Sequence, residues 1–586
     1  MDRHLSRVLY VDLSTHRYWV EERGELFRAR LGGTGVAIEL LHELCPRDAD
    51  PLSPENPVIL AVGPLSALLP LASKTVAVFK SPHTGNLGES HCGGRSAVAL
   101  RLAGYGALVI TGKSDTPVYI VIEGERVHFR DARALWGLTS SFTVGRIIRE
   151  REGGSGIRSI LRTGIAGENL VTYASVVTES YRHFGRLGLG AVFGAKHLKA
   201  VVIIGKGRVP VADPPGYSRL YRELHERAVR SELFRKYHDL GTPQNVRTLN
   251  AIGALPVRNL HDNRYRDEVP FTGEAMAERY LGRRLACAGC PVACIHLAAL
   301  KEPYPDEPFF YKTTFVSYDY EPIYALGTLL GGEDPEGYLK LMDVLEHLGL
   351  DAMSCGVVLA WATEAFERGL LTERDTGGLV PRWGDYGVYP ELARRIARRQ
   401  GELYDHLARG VMAAAARYGG EDFALAFGGN EMPGYHTGPG AYLTYLLGAR
   451  HSHLDSAGYA VDQVDLREGR KRAPEELARA LFSEEARRQI LSSLVVCFFA
   501  RGLYDFKVVS RCLAVLGEEW DEGTLRSLGE GILRRKYEFK LGAGFDPGKL
   551  HIPARITETP TPHGEIDPGY LRAAAAALAA LLTSSD

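Results

Sequence analysis

Three of the eight cysteines crowd into CAGCPVAC, as Cys287, Cys290 and Cys294, with the spacing C-x2-C-x3-C. Thiolates three and four residues apart can converge on one iron–sulfur cube when a fourth ligand arrives from elsewhere. Cys497, in SSLVVCFF, is the candidate fourth. Zinc held by four cysteines, or by three and His296, uses the same ligand types, although a four-cysteine zinc site usually shows two C-x2-C pairs. A thioredoxin-type C-x2-C leaves Cys294 unexplained and lacks a surrounding βαβ pattern. Cys45, Cys92, Cys355 and Cys512 are scattered, which argues against a disulfide framework and fits small buried apolar residues.

Glycine is the second signal. LGGTGVA at 31–37, CGGR at 92–95 with Gly93 and Gly94, and GRLGLGAVFGAKHLKAV at 185–201 with Gly188 place glycine beside basic or small residues. Backbone can approach a large anionic ligand closely at such places, with Arg186 and Lys196 supplying charge, although each stretch alone is more often a tight turn. The glycines from Gly185 to Gly190 do not fit the dinucleotide spacing.

Residues 1–212 carry short Val/Ile runs punctuated by Gly, Pro and Ser, which predicts a β-rich segment. Ala107–Thr111 and Val118–Ile122 read as buried strands joined as a hairpin through GKSDTP. After ADPPG the pattern changes to amphipathic stretches such as YSRLYRELHERAVRSELFRKY, and helical spacing continues through 336–348, 355–369 and 390–418. A Gly-rich segment at 428–440 marks a second boundary, which gives three parts: 1–212, 213–427 and 428–586. The alanine-rich tail from Leu571 is a helix by propensity.

The 586 residues carry 70 Lys plus Arg against 71 Asp plus Glu, a net charge of -1, so no global field favours nucleic acid or an anionic membrane. Charges interrupt the first twenty residues and no apolar run approaches the roughly 18 residues of a membrane span. The expectation is a cytoplasmic enzyme with no membrane partner.

Several segments, in order along nearly the whole chain, resemble the aldehyde ferredoxin oxidoreductase family. They are GGTGVAIELL, GPLSALLP with KTVAVFKSPHTGNLGES, CGG and LAGYGALVITGKSDTPVYI, then GRLGLGAVFGAKHLKAV, CAGCPVAC, YEPIYALG, LEHLGLDAMS and SSLVVCFF. The resemblance implies an α+β fold: an N-terminal two-sheet β domain forms a base under a tungsten (or molybdenum) bis-pterin, and two mainly α-helical domains cover it. It also implies a 4Fe-4S cluster on Cys287, Cys290, Cys294 and Cys497, and a magnesium ion bridging the pterin phosphates. An aldehyde would be oxidised to a carboxylate, with electrons leaving singly to ferredoxin or a similar small redox protein; the resemblance leaves room for a homodimer.

In the family a carboxylate motif like D-x-x-G-L-D holds each pterin, since a carboxylate accepts two of the ring's N–H donors. Here the first motif runs from Glu346 to Asp351, while the second begins with Ser492 where the family has Asp. Lys74 stands where the family commonly has Arg, and it can neutralise a phosphate only as a point charge. The resemblance carries over Glu321, in YEPIY, and His453, in ARHSHLDS, as acid and base beside the metal. Asp319, His436 and His451 are rivals for those roles. His436 and Gly438 replace an acid and an Arg of the family pattern in MPGYHTGPG. These departures keep two alternatives open: a reductase of an acyl-CoA or other activated substrate, with Cys355 as a metal thiolate, and a non-catalytic iron–sulfur electron-transfer or scaffold protein.

Overall fold

The computed structural model describes residues 4–179, 181–265 and 269–584. Strands β1 (Arg7–Asp12), β2 (Arg17–Glu22), β3 (Val58–Ala61), β4 (Thr75–Lys80), β5 (Leu87–Cys92) and β6 (Ala107–Thr111) form one six-stranded sheet, ordered β2-β1-β6-β3-β4-β5. A second follows from β7 (Val118–Glu123), β8 (Arg126–Asp131), β9 (Ile157–Thr163), β10 (Val176–Val177), β11 (His183–Phe184) and β12 (Leu198–Gly205), ordered β11-β10-β9-β12-β7-β8.

The hairpin expected through GKSDTP does not form. β6 pairs with β1 and β3, whereas β7 pairs with β8 and β12, so the connection carries the chain from one sheet to the other. Both strands are apolar on both faces, and such runs hold no alternation to name a partner. Alternation matters only at depth: Val118, Ile120 and Ile122 enter the main core, while Tyr119 and Val121 face a smaller one closed by Val144 and Ile148 of the helix Ser141–Arg151.

Helices dominate after Asp213, whose carboxylate accepts Gly216 N–H at 3.0 Å and caps the helix Pro214–Arg230. The expected long amphipathic run breaks at Ser231, which caps Glu232–Leu240. A three-stranded antiparallel sheet interrupts this helical region: β13 (Leu281–Leu285), β14 (Ile295–Tyr304) and β15 (Glu307–Tyr318). β13 leads into the cysteine triplet, β14 leaves it, and β15 delivers Asp319 to Glu321. No helix among the described residues is long and apolar enough to cross a membrane.

Candidate active site

The motif from Glu346 to Asp351 is a helix end joined to a helix start. The helix Pro335–Leu348 stops at Gly349, which is left-handed at φ +77, and Asp351 caps Ala352–Glu367 by accepting Met353 N–H and Ser354 N–H, each at 3.2 Å. Both carboxylates are buried rather than solvated. Burial, opposed by a hydrogen bond from Ser317 Oγ, pushes Glu346 up to about 7. The second motif repeats the helix end but not the side-chain cap. The helix Pro474–Ser493 ends, and Val495 takes the left-handed position at φ +54 although it is β-branched and strained there.

Gly33, in the first glycine motif, packs on this second helix end. A Cβ at Gly33 would lie 2.2 Å from Ser492 O and 2.8 Å from Ser493 O, at φ +41. LGGTGVA therefore serves a close backbone approach. Gly33→Ala is expected to destabilise the protein by about 1–3 kcal/mol and to lower its thermal midpoint; an unchanged midpoint would count against this packing.

Four backbone hydrogen bonds assemble the cysteines. Ala288 N–H donates to Gly94 O at 2.9 Å, and Leu71 N–H donates to Gly289 O at 3.3 Å. The carbonyl of Leu71 accepts Cys497 N–H at 2.9 Å, and Lys74 N–H donates to Val495 O at 3.1 Å. Thus one residue of the N-terminal sheet region clamps both the triplet loop and the distant thiol. A Cβ at Gly93 would meet Cys287 Sγ at 2.7 Å, which requires glycine beside the cysteine loop. Cys287, Cys290, Cys294 and Cys497 are partly exposed, whereas Cys45, Cys92, Cys355 and Cys512 are buried. His296, the alternative zinc ligand, has both ring nitrogens engaged, by His238 O at 2.8 Å and the Tyr318 hydroxyl at 3.4 Å. Among the described residues no three His, Cys, Asp or Glu side chains converge tightly enough to share a single ion.

Two cations stand behind the cysteines. Burial works against the charge of Lys74, yet the Cys497 and Cys287 sulfurs hold its pKa above the usual value. Arg182 is likewise penalised by burial and sustained by Asp319, 3.3 Å away, and by Cys294 and Cys287.

A cavity of about 340 Å³ opens beside this cluster of thiols, with Lys74, Gly93, Glu321, Glu346, Asp351 and His453 in its wall. Gly94, Arg186, Gly188, Ser492 and the four cysteines lie outside that wall. Arg186 braces it from behind, reaching Asp351 Oδ2 at 3.1 Å and Glu431 O at 2.7 Å, and its buried Nη1 has no partner. Gly188 is left-handed at φ +85, and a Cβ there would strike Thr172 O.

Glu321 lies on the short helix Tyr320–Ile323, immediately before a π-helical turn at Tyr324–Thr328, a deformation frequent at functional sites. His453 lies in a turn pinned by Asp455, which accepts Arg450 N–H at 2.9 Å and Ser452 N–H at 3.0 Å. The two meet with His453 Nε2 at 3.2 Å from Glu321 Oε1, and Oε1 and His453 Nδ1 are buried without hydrogen-bond partners. Burial raises Glu321 to about 8, against a hydrogen bond from Gly434 N–H and with Asp319 adding to it. Burial, with Arg186, Arg450 and Arg488 nearby, holds His453 well below the ordinary histidine value. Glu321 thus keeps its proton at neutral pH, and His453 stays neutral.

The rivals are placed otherwise. His451 is bound by Tyr445 O at 2.9 Å and Lys540 Nζ at 3.1 Å, and His436 by Thr559 O at 3.0 Å and the Tyr442 hydroxyl; neither reaches the cavity. Asp319 does, but its carboxylate is committed to Arg182. Cys355 is buried away from the wall, and burial raises its pKa.

Matches to known proteins follow the same layout. The model described as "Aldehyde ferredoxin oxidoreductase, N-terminal domain" matches residues 8–205, and "Aldehyde ferredoxin oxidoreductase, domains 2 & 3" matches residues 219–581. The chain belongs to the aldehyde ferredoxin oxidoreductase family. It is 34% identical to the tungsten-containing aldehyde ferredoxin oxidoreductase of Thermococcus kodakarensis over 95% of this chain and 92% of the relative. It is 31% identical to the aliphatic sulfonate oxidoreductase, WOR-like subunit, of Pyrococcus furiosus over 70% of this chain and 67% of that one. The solved active site complex BamBC of benzoyl coenzyme A reductase shares the fold, with a TM-score of 0.80 at 24% identity over 93% of this chain and 90% of that one. Family membership makes the chain an oxidoreductase of a tungsten bis-pterin family.

The wall suits such a cofactor. Ser175 Oγ in the wall and Arg186 Nη1 behind it are buried without partners, and a Cβ at Gly185 would meet nothing within 4 Å, which leaves two unsatisfied polar groups and room beside the backbone for a large polar ligand. Sequence reading passed over Arg182, Tyr435 and His91, which also line the cavity. Tyr435, beside the altered His436, packs 5.2 Å from the His453 ring, and His91 Nε2 donates to the Glu89 carboxylate at 2.6 Å. A lone Arg, Tyr or His within an otherwise ordinary segment offers no spacing signal.

Proposed function

We propose that the chain oxidises an aldehyde to a carboxylate and passes the electrons through a 4Fe-4S cluster on Cys287, Cys290, Cys294 and Cys497 to ferredoxin or a similarly small redox protein. The observation that carries this reading is the meeting of Glu321 and His453, from distant segments, with unpartnered polar atoms in the wall that also holds Lys74, Glu346 and Asp351. When bound, the tungsten bis-pterin supplies the two-electron acceptor and the cluster the one-electron exit. Lys74 and Arg186 offset its phosphate charge, and Glu346 and Asp351 accept its ring N–H donors.

Oxidation to the carboxylate adds one water to the carbonyl and releases three protons with two electrons. Glu321, once ionised, takes a proton from that water at Oε1. His453, neutral with Nε2 3.2 Å from Oε1, is the group that can relieve Glu321 of that proton. Elemental analysis of anaerobically purified protein tests the assignment: about one tungsten and about four irons per chain are expected. Iron without tungsten or molybdenum, together with no aldehyde-dependent dye reduction, would refute it.

A further inference from the structure

A surface groove runs between the helices Pro214–Arg230 and Glu232–Leu240 and the turn at 498–503, lined by Arg227, Leu233, Phe234, Phe499, Arg501 and Leu503. Phe499 and Arg501 also line the cavity that holds Glu321 and His453. The two spaces therefore share a wall. At that wall Phe499 stacks on Tyr237, with centroids 4.3 Å apart and planes 12° apart. Further in, Tyr459 stacks on Tyr435 at 4.2 Å, and Tyr435 lies 5.2 Å from the His453 ring. Tyr237, Phe499, Tyr435 and Tyr459 all line the cavity that holds the acid–base pair, and such aromatic faces favour flat, apolar groups.

The cations along this path differ in what they have left to offer. Arg182 is held by Asp319 at 3.3 Å, and Arg488 by Glu484 at 2.8 Å. Arg501, half-buried where groove and cavity meet, donates Nη1 to Phe498 O at 2.9 Å and has no carboxylate within ion-pair distance among the described residues. Its remaining donors form a planar fork suited to a carboxylate. A charge held there stays near solvent and escapes the desolvation cost of the inner cavity.

We propose that this groove is the substrate entrance and that Arg501 determines specificity, selecting aldehydes with a flat apolar body and an acidic group at the end remote from the carbonyl. The inference rests on the aldehyde oxidation proposed above. The carbonyl end passes the Tyr237–Phe499 stack to Glu321 and His453, while the acidic end stays on Arg501.

The test compares 4-formylbenzoate with benzaldehyde in the holoenzyme, and measures binding of the product-like dianion terephthalate by calorimetry. Arg501→Gln should lower the ratio of kcat/KM for 4-formylbenzoate over that for benzaldehyde by about tenfold, mainly through KM, and weaken terephthalate by a similar factor; Arg501→Lys should restore part of both. An unchanged ratio with unchanged terephthalate affinity overturns the proposal. So does loss of iron in both variants, which would make Arg501 a brace for the Cys497 turn. If no aldehyde is oxidised by the parent, but terephthalate binds and Arg501→Gln weakens it, the anion-selective entrance stands and aldehyde oxidation fails.

Discussion

Glu321→Gln is expected to lower aldehyde oxidation by about 10²- to 10⁴-fold, the usual contribution of a positioned proton-transfer group, with tungsten and iron content at the parent level. Gln keeps the size and the contact with Gly434 N–H but cannot exchange a proton. The pH dependence gives the role its sign. Burial raises Glu321 to about 8, so the carboxylate that acts as base forms only as pH climbs through that value. Oxidation by the parent should therefore rise across pH 7 to 9, and Glu321→Gln should lose that rise along with the rate. His453→Asn should cost a similar factor without removing the inflection, because His453 remains neutral across this range. Near-normal rates in either variant would refute the role given to that residue. Loss of metal in step with activity would reassign it to structure.

Cys497→Ala should bring iron from about four per chain to about one or fewer and abolish the cluster's visible absorption, whereas Cys512→Ala should leave both intact. The contrast has a structural ground. Cys497 is partly exposed and its backbone is tied through Leu71 to the loop of the triplet, while Cys512 is buried in the helix Phe506–Ala514, where burial raises its pKa to about 12. Full iron and an unchanged spectrum in Cys497→Ala would falsify its place among the ligands.

The triplet was legible because its spacing is local, and the change from strands to helices because composition changes with it. β13 to β15 were not, because KEPYPDEPFFYKTT mixes charges with aromatics and shows no clean period within a region otherwise helical. The false hairpin at GKSDTP has the opposite origin: two uniformly apolar strands carry no mark of their partners. Glu321 and His453 belong to segments whose juxtaposition is a property of the folded chain, so only a resemblance could pair them in advance. Val495 is harder still, since nothing in a β-branched residue announces a left-handed turn. Its position becomes intelligible only beside Gly349, which closes the corresponding helix end in the first motif.

The Leu71 clamp bears on how the protein is made. Leu71 and the triplet emerge from the ribosome before Cys497, and roughly 200 residues separate Cys294 from Cys497, a delay of about 10–40 s at synthesis rates of roughly 5–20 residues per second. During that interval three thiols have emerged without their fourth, whose backbone must dock on a residue translated long before it. On the proposed ligand set, a chain that stops short of Cys497 lacks the fourth thiol, and the set closes only once Cys497 N–H has docked on Leu71 O.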